Sequence, residues 1–123
     1  MSRRPKRVPA SLDTVTRGMT ALDREHLSHY TMGIEELAAE IVGLFLVQMP
    51  SILAMLRSAT SPADWKLATH TLKGSARAVG AMRIAGIAAE LETLDISDSE
   101  ARQPLVEALD AEVAAVREAA QSQ

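Results

Sequence analysis

Residues 34–58, IEELAAEIVGLFLVQMPSILAMLRS, carry the strongest secondary-structure signal in the chain. Apolar residues recur there at spacings of three and four, as they do along one face of an α-helix. They are Ile34, Leu37, Ile41, Leu44, Phe45, Ile52, Leu53 and Leu56. Pro50 falls inside the pattern and removes one helical hydrogen bond. The stretch therefore predicts one long helix over about residues 33–58, bent at Pro50.

Two helices are predicted immediately beside this stretch. Residues 23–30 are expected to form a short helix before it. After it, Ser61 is a favourable N-cap and Pro62 suits the first helical position. That helix is expected to run to about Val79 and to stop at Gly80.

Two further apolar stripes complete the pattern. One predicts a helix over about residues 81–94, and the other lies in the last twenty residues. The Ser97-x-x-Glu100 spacing resembles a capping box, but Pro104 is expected to interrupt a helix that starts there. The last helix is therefore predicted to begin near residue 103.

Four substantial helices with short connections predict an all-α fold, an antiparallel up-and-down four-helix bundle with a short extra N-terminal helix. The composition agrees, since 47% of the 123 residues are hydrophobic and only 2% are aromatic. The absence of cysteine excludes disulfide scaffolds, thiolate zinc sites and cysteine nucleophiles. Neither G-x-G-x-x-G nor a P-loop occurs, which removes the common nucleotide-binding motifs.

Basic residues are concentrated at the start of the chain. Arg3, Arg4, Lys6 and Arg7 leave nine basic against sixteen acidic residues in the remainder, although the net charge is only −3. We expect a basic, mostly disordered tail over residues 1–20 and one domain over residues 21–123. An acidic domain disfavours nucleic-acid binding, and the longest apolar run has seven residues, too few to span a membrane. A cytoplasmic protein is expected, with a nucleic-acid or membrane-surface contact left open for the tail alone.

His70 is predicted to face solvent. With about 100° per residue, the apolar stripe of its helix is centred on the side opposite His70. The stripe comprises Trp65, Ala68, Leu72, Ser75, Ala76 and Val79. A core histidine would lie within that stripe, and His70 does not.

Cationic residues surround His70 on the predicted outer face. Lys66, Lys73 and Arg77 lie within about 60° of it, as does Gly74. Three cations suit a phosphoryl group, and a glycine, which costs a helix about 1 kcal/mol relative to alanine, leaves the ring open to another protein. A neutral imidazole is a nucleophile, and with a pKa near 6.5 about three-quarters of it is neutral at pH 7. The alternative is a solvated histidine without a function.

A motif extends from His70 into the following helix. It reads His70-Thr71-Leu72-Lys73-Gly74-Ser75-Ala76, then Val79-Gly80-Ala81, Ile84 and Leu91-Glu92. This pattern resembles the signature of histidine-containing phosphotransfer (Hpt) domains, and with its flanking helices the similarity covers roughly residues 22–120. The resemblance implies a four-helix bundle with an exposed phosphoacceptor in mid-helix. It also implies phosphoryl exchange with the aspartate of response-regulator receiver domains, without kinase activity of the domain itself.

By this resemblance His70 is the phosphorylated residue, Lys73 steadies the phosphoryl group and Gly74 gives the receiver access. Glu92 would lie on the neighbouring helix near His70. It could orient the imidazole and raise its basicity, yet it would repel phosphate, so its role stays open. Helical geometry adds Lys66 and Arg77 as electrostatic residues of the docking face.

Leu67 is expected to join an apolar docking patch. The expected partners are receiver domains and a hybrid or sensor histidine kinase. No cofactor is expected on the chain itself, since Mg²⁺ would sit on the receiver, and a monomer is expected. His26 and His29 lack a third ligand, so no metal site is predicted. A non-enzymatic adaptor bundle in which His70 is incidental is the competing function, and a true kinase is disfavoured because ATP-binding motifs are missing.

Overall fold

The computed structural model describes residues 20–121, which form five helices. In chain order these are α1 (Arg24–Tyr30), α2 (Glu35–Ser58), α3 (Pro62–Val79), α4 (Met82–Glu92) and α5 (Ser99–Gln121). No strand occurs among the described residues, so the all-α prediction is confirmed for them, including the short extra helix before the long ones. The predicted tail lies outside the described residues except for Thr20.

The helices pack as a bundle around one apolar core. α3 contacts both α2 and α4, and α5 packs against the same two helices. The largest fully buried apolar side chains come from all four of these helices; they are Met49, Leu56, Leu72, Ile84, Ile87, Leu91, Leu105, Leu109 and Val116. Burial of such side chains is the main favourable contribution to the stability of the bundle.

α2 is continuous through Pro50, as the sequence predicts. It is the one helix in the described part of the chain that is long and apolar enough to cross a membrane by length and composition. The core helix of a bundle meets the same two criteria, and α2 buries Phe45, Met49 and Leu56 against its neighbours. The helix is therefore weak support for a membrane segment.

α3 begins and ends as its sequence predicts. The Ser61 side chain accepts a hydrogen bond from the Asp64 amide at 3.1 Å, and Pro62 opens the helix. Gly80 ends it in the left-handed conformation, with φ of 83°. Its carbonyl accepts a 2.7 Å hydrogen bond from the Asp23 amide, which joins the start of α1 to the end of α3. A Cβ on Gly80 would lie 2.8 Å from the Asp23 carbonyl oxygen, so glycine is required for this close approach.

α5 corrects one prediction. It begins at Ser99 rather than near residue 103, and Pro104 lies inside it. Asp98, not Ser97, acts at its start, because the Asp98 carboxylate accepts from the Ala101 amide at 3.2 Å.

Packing explains why α5 tolerates its proline. Pro104 removes only one backbone donor, near the exposed start of the helix. Leu105 is buried beside it, and the Arg102 guanidinium lies 5.3 Å from the centre of the Trp65 ring. These contacts hold the first turn against the bundle. α4 is slightly shorter than predicted, ending at Glu92.

Candidate functional site

α3 presents His70 to solvent and its apolar side to the core. Trp65, Ala68, Leu72, Ala76 and Val79 are buried, while the His70 side chain is 71% exposed. The predicted orientation of the helix is therefore confirmed.

Two polar residues of α3 depart from the predicted stripe. Ser75, expected inside it, is only half-buried, and Thr69, expected outside it, is fully buried. The Thr69 hydroxyl donates to the Trp65 carbonyl at 3.0 Å. This local bond satisfies the hydroxyl one turn back and makes its burial possible, which apolar periodicity does not reveal.

One carboxylate joins His70 and Lys73. Glu92 Oε1 lies 2.5 Å from Lys73 Nζ, and Glu92 Oε2 lies 3.5 Å from His70 Nδ1. The Lys73 and Glu92 side chains are 19% and 22% exposed, so the pair is sheltered while the imidazole beside it is open. We call His70, Lys73 and Glu92 the His70 cluster.

α4 brings Glu92 to this position. The indole of Trp65 on α3 donates to the carbonyl of Leu91 on α4 at 3.1 Å, one residue before Glu92. Because Trp65 and Leu91 are both buried, this bond joins the end of α4 to the start of α3. The carboxylate is thus held by the packing of two helices.

Glu92 supplies the negative charge of the His70 cluster. The hydrogen bond from Lys73 lowers the pKa of the Glu92 carboxyl below its ordinary value of 4.5; partial burial opposes this, and His70 contributes in the same direction as Lys73. Glu92 is therefore a carboxylate at neutral pH. It favours the imidazole tautomer that carries its proton on Nδ1, which leaves the Nε2 lone pair directed away from the pair.

Gly74 leaves open space one turn after His70. It is exposed, and a Cβ built on it would meet no atom within 4 Å. Packing within the described part of the chain does not require glycine here. Since glycine costs a helix about 1 kcal/mol relative to alanine, its presence fits a need for clearance on the outer face.

Lys66, Leu67 and Arg77 are also exposed on α3. Lys66 and Arg77 have no ion-pair partner within residues 20–121, so their charges are available to an incoming group. Leu67 is 58% exposed, which is unusual for a large apolar side chain in a bundle. The structure thus places these three residues on the exposed side of the His70 helix.

α2, which packs against α3, also carries exposed apolar residues. Arg57 forms a 2.9 Å ion pair with Asp110, which marks the side of α2 that faces α5. Leu44 and Met55, both exposed, lie roughly 140° or more around α2 from Arg57, hence on the side of α2 away from that ion pair. Gly74, Leu67, Leu44 and Met55 are named the apolar rim.

No cluster of three or more metal-binding side chains occurs in the described ranges. His26 and His29 lie on α1, away from the His70 cluster in sequence. Sequence reasoning did not foresee the Lys73–Glu92 pair, because these residues are 19 positions apart and meet only through the packing of α3 on α4.

Comparison with known proteins gives one match. A family model described as Hpt domain matches residues 40–119, about two-thirds of the chain. No curated protein and no solved structure matches significantly.

Proposed function

Since the chain belongs to the Hpt domain family, which carries out histidine phosphotransfer in two-component systems, we propose that His70 accepts a phosphoryl group and passes it to or from the aspartate of response-regulator receiver domains. One observation carries this proposal. The His70 ring is 71% exposed in the middle of a helix whose other side is buried, with open space beside it at Gly74.

The transfer step follows from the ring's surroundings. The Nε2 lone pair attacks the phosphorus of the receiver's aspartyl phosphate, the P–N bond forms, and the P–O bond to the aspartate breaks, returning its electrons to the carboxylate. The reverse sequence returns the phosphoryl group. Nδ1 keeps its proton throughout, supported by the Glu92 carboxylate 3.5 Å away.

Lys73 stabilises the transferred group electrostatically in this proposal. Its ammonium has three donors, of which one binds Glu92, so it can donate to a phosphoryl oxygen as well. Lys66 and Arg77 add positive charge on the same helix, which favours the approach of an anionic receiver site. The three cations complement the charge of the phosphoryl group and of the carboxylates around it.

The apolar rim serves as the docking surface for the receiver. Exposed apolar residues around a reactive group favour a partner that covers them, and Gly74 lets that partner approach the ring closely. Leu67 is the rim residue nearest His70 in sequence and the strongest candidate for a buried contact in the complex.

The chain acts as a phosphocarrier rather than as a kinase. It contains none of the common nucleotide-binding motifs. A hybrid or sensor histidine kinase supplies the phosphoryl group, and the receiver holds the Mg²⁺ that neutralises charge during transfer. We further propose that the protein is cytoplasmic and monomeric. Its four long helices are proposed to form an antiparallel bundle.

A phosphotransfer profile tests this function. The chain is mixed separately with each ³²P-labelled receiver domain of its cell, and label on both proteins is followed over seconds to minutes. We expect rapid label transfer with one or a few receivers. An adaptor bundle would bind a receiver and take no label from any of them, which would overturn the proposal.

A further inference from the structure

A groove of about 540 Å³ lies between α1, the first turns of α2 and the last turn of α5. Its lining is mostly apolar and includes Leu22, Leu27, Ile34, Ala39, Val42 and Ala120. Leu27 and Val42 are buried at its base, whereas Ile34 is 51% exposed and Ala39 is also exposed. A groove with this lining favours an apolar occupant.

The edge of the groove is acidic. Glu35 and Glu36 line it, both are exposed, and neither forms an ion pair within residues 20–121. Arg24, which also lines the groove, donates a hydrogen bond to the Ala119 carbonyl at the end of α5. Two unpaired carboxylates at the edge favour an occupant that carries basic residues near its apolar part.

The residues that precede the described range have a matching apolar pattern. Val8, Leu12, Val15 and Met19 recur at spacings of four, three and four. Such spacing is typical of one face of an α-helix, and Pro9 suits the first turn of a helix that begins there. The pattern therefore provides one apolar face on residues 8–19.

Basic residues stand directly before this apolar face. They occupy four of the positions 3–7, so their charge complements the carboxylates of Glu35 and Glu36. We infer that residues 8–19 bind in the groove as a helix, with their apolar face against its lining. This assignment shortens the tail predicted from composition to residues 1–7.

The attachment point of the segment favours this occupant over a separate protein. Only Thr20 and Ala21 stand between Met19 and Leu22, which lines the groove. Met19 therefore lies within about 11 Å of the groove wall, whatever the conformation of the connection. A short connection of this kind gives an effective concentration in the millimolar range, so even weak apolar contacts suffice for binding.

The groove is separate from the phosphotransfer site. α1 meets α3 at Gly80, which is about 15 Å along the helix from His70. None of the residues that line the groove belongs to the His70 cluster or to the apolar rim. The inference thus does not depend on the proposed function, and either can fail without the other.

Amide hydrogen exchange of the full chain tests whether the segment is bound. A helix of about twelve residues is marginal in water on its own, so protection of its amides requires packing against the domain. We expect the amides of residues 12–19 to exchange at least about tenfold more slowly than those of an unstructured chain. Unprotected amides in this segment would overturn the inference.

Two substitutions show whether the protection comes from the apolar face. L12S should remove it, because the Leu12 side chain is expected to contact the groove. T14S is the matched control and should retain it, since Thr14 lies about 200° around the helix from Leu12. Protection that survived in L12S, or that disappeared equally in both variants, would contradict the assigned face.

A disulfide trap tests where the segment binds. The chain has no cysteine, so the pair V15C/A39C reports only the contact between the segment and the groove. R17C/A39C is its control, because Arg17 lies about 200° around the helix from Val15 while the connecting chain is nearly the same length. We expect V15C/A39C to close at least about tenfold faster under mild oxidation, since disulfides need a specific approach of the two Cβ atoms.

Non-reducing electrophoresis distinguishes the possible products. Equal closure rates for the two pairs would mean that the segment does not present one face to the groove, and would overturn the inference. Disulfide-linked dimers in place of the product within one chain would assign the groove to a second copy and would likewise overturn it.

Discussion

Lys73 Nζ lies 2.5 Å from Glu92 Oε1, so the lysine expected to steady a phosphoryl group is already paired with a carboxylate. The pair is sheltered, and His70 beside it is open. This arrangement holds the lysine near the ring before any phosphoryl group arrives. Once transfer begins, the Lys73 ammonium has to interact with both the Glu92 carboxylate and the phosphoryl group.

Replacing Lys73 should slow transfer without unfolding the protein. We expect K73A to reduce the transfer rate from a phosphorylated receiver about tenfold, because a cation next to the transferred group is removed at a partly exposed site. K66A is the matched control and should lose less, since Lys66 has no contact with Glu92. Rapid-quench measurements give both rates, and equal rates for K73A and the original protein would contradict the role of Lys73.

Gly74 should be replaceable for folding but not for docking. G74A should stabilise the protein by about 0.5–1 kcal/mol, because alanine favours a helix and its Cβ meets only open space. A larger side chain, as in G74L, should nevertheless slow transfer by obstructing the receiver. Chemical denaturation and transfer rates measure the two effects.

The same substitution at Gly80 should have the opposite effect on stability and is the comparison for G74A. G80A should destabilise the protein by about 1–3 kcal/mol, because alanine is strained at a positive φ and its Cβ would crowd the Asp23 carbonyl. If G74A destabilised the protein as much as G80A, the open space assigned to Gly74 would be wrong.

The contribution of Glu92 to stability should vanish in acid. Lys73 and His70 lower the pKa of its carboxyl below 4.5, so the folded state favours the ionised form. The resulting stability is present above the unfolded-state pKa and is lost as pH falls through the folded-state pKa. The difference in unfolding free energy between the original protein and E92Q should thus shrink below about pH 4.5. A difference that stayed constant from pH 7 to pH 3 would argue against the ion pair.

Leu67 should contribute to receiver binding rather than to folding. L67S should weaken the receiver complex about three- to tenfold, since a buried apolar contact at an interface is lost. Y30S is a suitable control, because Tyr30 is equally exposed but lies on α1. Titration calorimetry compares the two, and equal affinities would exclude Leu67 from the docking surface.

Local sequence patterns predicted α2, α3 and the exposure of His70. The spacing of apolar residues is enough for this, because it determines which face of a helix is buried. The start of α5 was missed because tertiary contacts of Arg102 and Leu105 outweigh the local effect of Pro104. The predicted tail lies outside the described residues apart from Thr20.

The His70 cluster could not be derived from periodicity, because it depends on contacts between two helices. Glu92 could be placed near His70 only through the family resemblance. Its contact with Lys73 depends on how α4 packs on α3, through the bond from Trp65 to Leu91. A periodic pattern within one helix contains no information about that packing.

The most direct test of the central claim locates the phosphoryl group. The original protein, H70Q and H26Q are each incubated with the same ³²P-labelled receiver, and the label is tested for loss in acid and stability in base. We predict acid-labile, base-stable label on the original protein and on H26Q, and none on H70Q. Label that persisted on a folded H70Q would contradict the assignment of His70 as the phosphoacceptor.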